Sequence, residues 1–552
     1  MLQAEDLILA RKVIRGDGQP DATALALAGG RIIWVGNRHD GEALCGPGTR
    51  RRDFGGATIT PGLIDAHLHT VHFGRALAQV DVRSAVAPDL AALVRQITAR
   101  AATTPPGKWI LGRGYDQNRL AEHRHPTRAD LDRAAPHHPV LITHNSGHMS
   151  VANSAACAIA GITRHTQAPP GGAVVRDADG EPTGLLLEGA QDLVRRHLPA
   201  PTAAEVKQAI ALAHSQYSQE GLTGVHEAGC PAAHPLELGL YQDVLAAGDL
   251  RARTHLMIYP RALGDVASPH LGLGLHTGIG RDGGMISIGP LKLMADGSLI
   301  GRTAMLNEPY AGAAMAGNSP GDAATASAPE GIWVTAPEQL MQLAVAGRRA
   351  GWQLATHAIG DRAIGLCLDV YDAAAAASPR HGPPDRVEHC GVLTTALIAR
   401  LAATGTVAVT QPRFIFELGD GFRSALGPER LALTYPLRSL VAAGVAVAAG
   451  SDRPVVEGAP LLGIHAAVNQ RTASGAAYVP GEAVSFRQAL AMYTVGAAQA
   501  AGQAHWLGML RPGMAADLTV IGGDPEADPA AIEACPVLGT MVEGRWTYLA
   551  GG

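Results

Sequence analysis

Short, nearly continuous apolar runs alternate with longer Ala-rich stretches from about residue 59 to residue 504. Apolar runs bounded by turn residues read as strands buried on both faces, and the stretches between them read as helices. Eight runs stand out: TPGLIDAHLH, LTGVHEAG, RARTHLMIYP, ISIGPLKLMADG, WQLATHAIGD, DRVEHCGVL, TVAVTQPRF and VAVAAGSDRP. Helical stretches such as PEQLMQLAVAGRRAG and RAIGLCLDVYDAAAAA fall between them. Eight such units predict an α/β protein built on a (β/α)8 TIM-like barrel; a doubly wound open sheet is the other arrangement that this rhythm allows.

The rhythm breaks in three places. Residues 1–58 and 505–552 are short strand-like runs punctuated by Gly and Asp, which predicts one small β-sandwich built from both termini. The barrel then occupies 59–504. Residues from about 75 to 205 separate the first two runs. They hold their own helices, the strand candidates WILGRGYD and HPVLITHNSG and the turn-rich piece APPGGAVVRDADGEPTG, and so read as an inserted subdomain. A second insertion, PYAGAAMAGNSPGDAATASAPEG, follows the fourth run and reads as a loop or an active-site lid.

Composition narrows the function. With 47% apolar residues in a chain of 552, a large core can be buried. A net charge of −5 with no basic stripe argues against a nucleic-acid partner or a polybasic membrane patch. No apolar run reaches 18 residues, and the apolar stretch near the N-terminus is too short for a signal segment. Six scattered cysteines without a C-x-x-C pair fit reduced thiols in the cytoplasm. A small-molecule substrate is the expected partner, and a homodimer is compatible with everything above.

The 23 histidines carry the chemistry. His67 and His69 form H-x-H at the end of the first run; in a strand, positions i and i+2 share a face, so both imidazoles can reach one ion. Alone the pair is as readily structural. Lys292, His357, His389 and Asp452 then fall in the fourth, fifth, sixth and eighth runs. The interval from His389 to Asp452 is about twice that from His357 to His389, as expected if the seventh run gives no ligand. All six would lie at the C-terminal mouth of a barrel, where barrel enzymes keep their active sites. Imidazole and carboxylate donors suit a divalent metal of the zinc type, as one or two ions. No G-x-S-x-G elbow or phosphate-binding G-x-x-x-x-G-K-[ST] loop offers a different chemistry.

The motifs TPGLIDAHLH (60–69), GHMSVANSAA (147–156), LKLMADGSLIGRTA (291–304), THAIGDRA (356–363), RVEHC (386–390), AAGSDRP (448–454) and RPGMAADLTVIGGDP (511–525) give the chain its resemblance to a family. It resembles the amidohydrolase superfamily, within it the third amidohydrolase group of YtcJ-like and N-substituted formamide deformylase-like proteins. The resemblance implies a metal-bearing barrel flanked by a β-sandwich. It implies that His67 and His69 bind the more buried metal, and that His357 and His389 bind a second. Asp452 would bind the first and hold the attacking water. Lys292 lies where relatives carry a carboxylated lysine bridging two metals.

An ammonium cannot ligate, so Lys292 serves only as a carbamate or a neutral amine; otherwise it pairs with Asp296 or with substrate. Glu188 in GLLLEGA is the rival bridge. His148 is expected to hydrogen-bond the reacting carbonyl, Tyr115 to line the pocket, and Arg302 to bind an anionic or carbonyl oxygen or to form a salt bridge. Asn153 reads as a helix cap. Glu227, ending the second run beside His226, reads as support for a ligand. Asp361 could cap the next helix or orient His357.

Together these readings predict metal-assisted hydrolysis of a C–N bond (amide, N-substituted formamide, carbamate or cyclic amide), with Asp452 as general base and then acid. A similar site also supports ester hydrolysis or decarboxylation. A metal-binding scaffold without catalysis is the alternative outside enzymes.

Overall fold

The structure is a computed structural model. It describes residues 3–145, 147, 149–169, 172–263, 278–279, 284–311 and 330–551. The predicted insertion after the fourth run lies largely outside the described residues, as does His148. The described residues form two compact units, one holding those up to His72 and from Val206 onward, the other Phe73–Glu205.

The first unit is built on eight parallel strands, in chain order Leu63–Leu68, Leu222–Cys230, Arg253–Ile258, Ile286–Met294, Leu354–Ala358, Arg386–His389, Val407–Thr410 and Val447–Ala449. Each of the eight apolar runs supplies one strand. All six residues of the first strand and all nine of the second are buried, the pattern of strands covered on both faces. Helices follow the strands. Asp361–Ala377 follows the fifth; Thr395–Thr404 follows the sixth, capped by the Thr394 side chain on the Leu397 amide and ended by Gly405 in the left-handed conformation.

Closure of the barrel happens at the eighth strand. The Asp452 amide donates to the His67 carbonyl at 2.7 Å, and the His69 amide to the Arg453 carbonyl at 2.9 Å. These two bonds, made just beyond the eighth strand, bring the last strand's C-terminal end against the first. Gly450 permits the approach: a Cβ there would lie 2.6 Å from the His67 nitrogen. Asp65 locks the seam, its buried carboxylate accepting the amides of His67 and Ser451, both at 3.0 Å. Burial pushes that carboxyl up to about 6 against these bonds.

The N- and C-terminal segments share one eight-stranded sheet. Its joint is Thr58–Pro61, which pairs antiparallel with Leu518–Ile521 and parallel with Ala4–Val13. Alternation along Ala4–Val13 sends Ile8 and Ala10 into one apolar cluster and Leu7 and Leu9 into another, so both faces are covered.

The second unit has a six-stranded sheet. Ile110–Tyr115 and Val140–His144 pair in parallel, and Met149–Ala152, Pro182–Glu188 and Gly172–Arg176 extend the sheet antiparallel. The turn-rich stretch read from sequence carries strand on both sides of its turn: it forms a hairpin closed by the Asp177 amide on the Glu181 carbonyl. Leu93, Ile97, Ile110, Val140, Ile142 and Val151 build this unit's own core. No helix among the described residues is long and apolar enough to cross a membrane.

Candidate metal centre at the C-terminal end of the barrel

His67 and His69 flank the C-terminal end of the first strand, and Asp452 follows the eighth. The seam that closes the barrel therefore brings them together. His69 Nε2 lies 3.1 Å from Asp452 Oδ1 and His67 Nε2 3.5 Å from it. Among the described residues these three form the group whose ligating atoms all fall within 4.8 Å of one another. Two imidazoles and a carboxylate are a donor set that fits a zinc-type divalent ion.

The other strand-end residues surround this triad. The His67 and His389 rings are 4.7 Å apart and the His389 and His357 rings 4.4 Å. His357 Nε2 faces the Gly297 carbonyl at 3.0 Å, whereas His389 pairs Nδ1 with Gln411 Oε1 at 2.9 Å. Burial drives His357 down to about 4, with the Lys292 charge adding to it; burial likewise lowers His67 and His389. All three stay neutral at neutral pH and keep a lone pair. His69 differs. Burial lowers it most, but the hydrogen bond to Asp452 and the charges of Asp452 and Glu227 together outweigh burial and hold it above its ordinary value.

Asp452 shows the reverse balance. Burial raises its carboxyl, yet His69 and the neighbouring positive charges keep it below the usual range, so it is ionised at neutral pH. Its backbone φ is 58°, and that of His389 is 73°. Left-handed backbone at a bulky residue costs energy and recurs at functional sites.

Lys292 is buried at the fourth strand. Burial lowers its amine to about 8, while Glu388 and Asp452 pull it the other way. Asp296 is not its partner: that carboxylate accepts the amides of Met305, Ile359 and Gly360. Burial raises it to about 7. Glu227 supports His69: one oxygen accepts the Thr70 amide at 2.7 Å and the Tyr241 hydroxyl at 3.0 Å, and the other lies 3.9 Å from His69 Nδ1. Its burial pushes it up to about 7.

Three expectations change. Among the described residues Arg302 forms no salt bridge; its guanidinium donates to the backbone carbonyls of Ala311 and Ser424, tying a loop to a helix. Asp361 is not the N-cap, which is Gly360; from the first helical position its carboxylate accepts the Arg362 amide of its own first turn and both the amide and the side chain of Asn307. Tyr115 is enclosed in the core of the second unit, its hydroxyl 3.2 Å from His125 Nδ1. Glu188 ends a strand of that same unit, exposed, at φ 47°. Asn153 does cap its helix, accepting the Ala156 amide at 3.0 Å.

Sequence reasoning passed over Glu388. It lies one residue before His389, and its Oε2 is 2.5 Å from His67 Nδ1. The R-x-E spacing within RVEHC, two charges on one face of a buried strand, was the available signal.

The chain matches the amidohydrolase family over residues 52–548. It is 31% identical to the putative amidohydrolase YtcJ of Bacillus subtilis (strain 168) over 519 residues, covering 92% of each chain. It is also 31% identical to the N-substituted formamide deformylase of Arthrobacter pascens over 564 residues, covering 99% of each. An uncharacterized metal-dependent hydrolase from Pyrococcus furiosus has the same fold, with a TM-score of 0.72 at 24% identity over 95% of this chain and 99% of that one. Fold and site define a metal-dependent hydrolase on a (β/α)8 barrel. The chain belongs to the amidohydrolase family.

Proposed function

We propose that this protein hydrolyses a C–N bond of a small molecule, an N-substituted formamide, amide, carbamate or cyclic amide, using zinc. The observation that carries the reading is the meeting of His67, His69 and Asp452 at the barrel's C-terminal end. Similarity to the N-substituted formamide deformylase along nearly the whole of both chains supports the choice of bond.

His67, His69 and Asp452 would hold one ion. His357 and His389, with Lys292 as a carbamate, would hold a second. When bound, the metal supplies positive charge that acidifies a water and offsets the charge of the tetrahedral intermediate. Asp452 does the proton work. It is ionised at neutral pH, buried, and held by His69, so it accepts the proton of the attacking water and returns it to the leaving nitrogen. Desolvation of His67, His357 and His389 keeps them unprotonated, and the near-complete burial of His67 and His389 limits the water that can compete at the site.

The test is amine release from a panel of N-formyl, N-acyl, carbamate and cyclic-amide compounds, with zinc-loaded and chelator-treated protein. Turnover that needs the metal and falls at least ~1000-fold in Asp452→Asn, with the fold retained, is the expected result. Wild-type rates in Asp452→Asn would remove Asp452 from the proton path. No amine from any compound, with metal demonstrably bound, would overturn the C–N assignment.

A further inference from the structure

The interior of the barrel contains an ion pair that the reaction above does not use. Arg386 and Glu388 are both 0% exposed. A buried ion pair gains little over apolar residues of the same shape, so its presence asks for another reason. The two residues stand two apart in the sixth strand and share its inward face. Strand alternation alone would turn His389 away from that face. The left-handed backbone at His389 breaks the alternation, and Glu388 and His389 both reach the His67 imidazole.

The contacts run in one direction. Arg386 Nε donates to Glu388 Oε1 at 2.5 Å, and Nη2 to Oε2 at 3.0 Å, so the guanidinium grips both carboxylate oxygens. Nη2 also donates to the carbonyl of Ala66, the residue before His67, and Nη1 faces His226 Nδ1 at 3.0 Å. Arg386 therefore registers the carboxylate against the same strand that carries the histidine. Glu388 Oε2 then meets His67 Nδ1. An ionised carboxylate only accepts, so Nδ1 must hold the ring proton. The lone pair is left on Nε2, the nitrogen that faces Asp452.

We propose that Glu388 is a positioning residue that fixes His67 as its Nδ1–H tautomer and so presents Nε2 to the metal, with Arg386 as the counter-charge that lets a carboxylate be buried there. The proposal rests on the metal reading of the site. His67 needs such a device more than its neighbours do. At 1% side-chain exposure it has no water to select its tautomer, whereas the side chain of His69 is 23% exposed. Behind His389 stands the neutral Gln411, and behind His69 the Glu227 carboxylate lies 3.9 Å from Nδ1, beyond hydrogen-bond reach.

The test compares two charge-neutral double variants, which avoid a lone buried charge. Arg386→Leu with Glu388→Leu removes the acceptor; Arg386→Leu with Glu388→Gln keeps one, the amide oxygen. Zn2+ affinity is measured by competition with a chromophoric chelator, and the Co2+ form by its visible absorption. The Leu/Leu protein should bind Zn2+ about 10–100-fold more weakly and show an altered Co2+ spectrum, while the Leu/Gln protein stays within about threefold of wild type. Glu388→Asp offers the same reading without changing charge: its shorter reach should weaken Zn2+ binding while circular dichroism is unchanged. Wild-type affinity in the Leu/Leu protein or in Glu388→Asp overturns the proposal. So does an equal loss in both double variants, which would mark the pair as merely structural. A wild-type protein that binds neither Zn2+ nor Co2+ would sink the metal reading itself, a result distinct from normal binding by every variant.

Discussion

Arg253 and Asp517 join the barrel to the terminal sheet, and their separation makes a quantitative test of the fold. Arg253 opens the third barrel strand; Asp517 stands just before Leu518–Ile521. The guanidinium donates through Nε to Oδ2 at 2.6 Å and through Nη2 to Oδ1 at 3.0 Å. Oδ1 also accepts the Glu543 amide at 2.8 Å, and the Trp506 ring lies 4.8 Å from the guanidinium carbon. The two side chains are 6% and 5% exposed, so water cannot replace either partner. Asp517→Asn keeps the shape and the Glu543 contact but turns an amide group toward one donor and removes the counter-charge. Two unit charges about 4 Å apart at an effective dielectric of about 20 attract by about 4 kcal/mol. Loss of one member of a buried pair costs about 3–5 kcal/mol, so two routes give the same size. Urea unfolding of metal-free protein, followed by Trp fluorescence, should therefore show Asp517→Asn less stable by about 3–4 kcal/mol. Adding Arg253→Met removes the stranded charge and should recover about 2 kcal/mol of that loss. A single-variant cost below about 1 kcal/mol, or strictly additive costs in the pair, would refute the claim that this contact clamps sheet to barrel.

Two further outcomes test the seam and the core. Gly450→Ala places a methyl 2.6 Å from the His67 nitrogen and 2.7 Å from its Cβ, so the first and eighth strands must part; zinc affinity should fall at least ~10-fold by chelator competition, and unchanged affinity would mean that closure tolerates slack. His214 is fully buried, its Nδ1 accepting the Ala252 amide, and burial, aided by Arg251, lowers it from 6.5 to about 3. Its folded value lies below its unfolded one, so the unfolded chain takes up the proton first and stability falls as pH drops from 6.5 toward 3. Between pH 8 and pH 5 wild type should lose about 2 kcal/mol more than His214→Gln in urea titrations. An equal loss in both would show that His214 does not sense the acid.

Much of this protein is written along the chain itself. A parallel strand covered on both faces must be apolar almost throughout, so each barrel strand announces itself as a run, and helices capped by residues such as Thr394 and Asn153 announce their starts. The H-x-H spacing is equally local, since a two-residue period puts both rings on one face. Tertiary structure decided the rest. The hairpin at Gly172–Arg176 and Pro182–Glu188 read only as a turn-rich piece because its Gly, Asp and Pro hide a pairing that its neighbours stabilise. The sequence could not show that Asp296 belongs to three backbone amides, or that Arg302 serves carbonyls of Ala311 and Ser424, because hydrogen-bond partners are chosen by proximity in space. Glu388 escaped for a sharper reason. Alternation assigns Glu388 and His389 to opposite faces, and the positive φ at His389 cancels that rule at one residue. The types of residue needed for the chemistry are local facts; which atoms face each other depends on a seam between strands nearly four hundred residues apart in sequence, closed by the Asp452 amide on the His67 carbonyl.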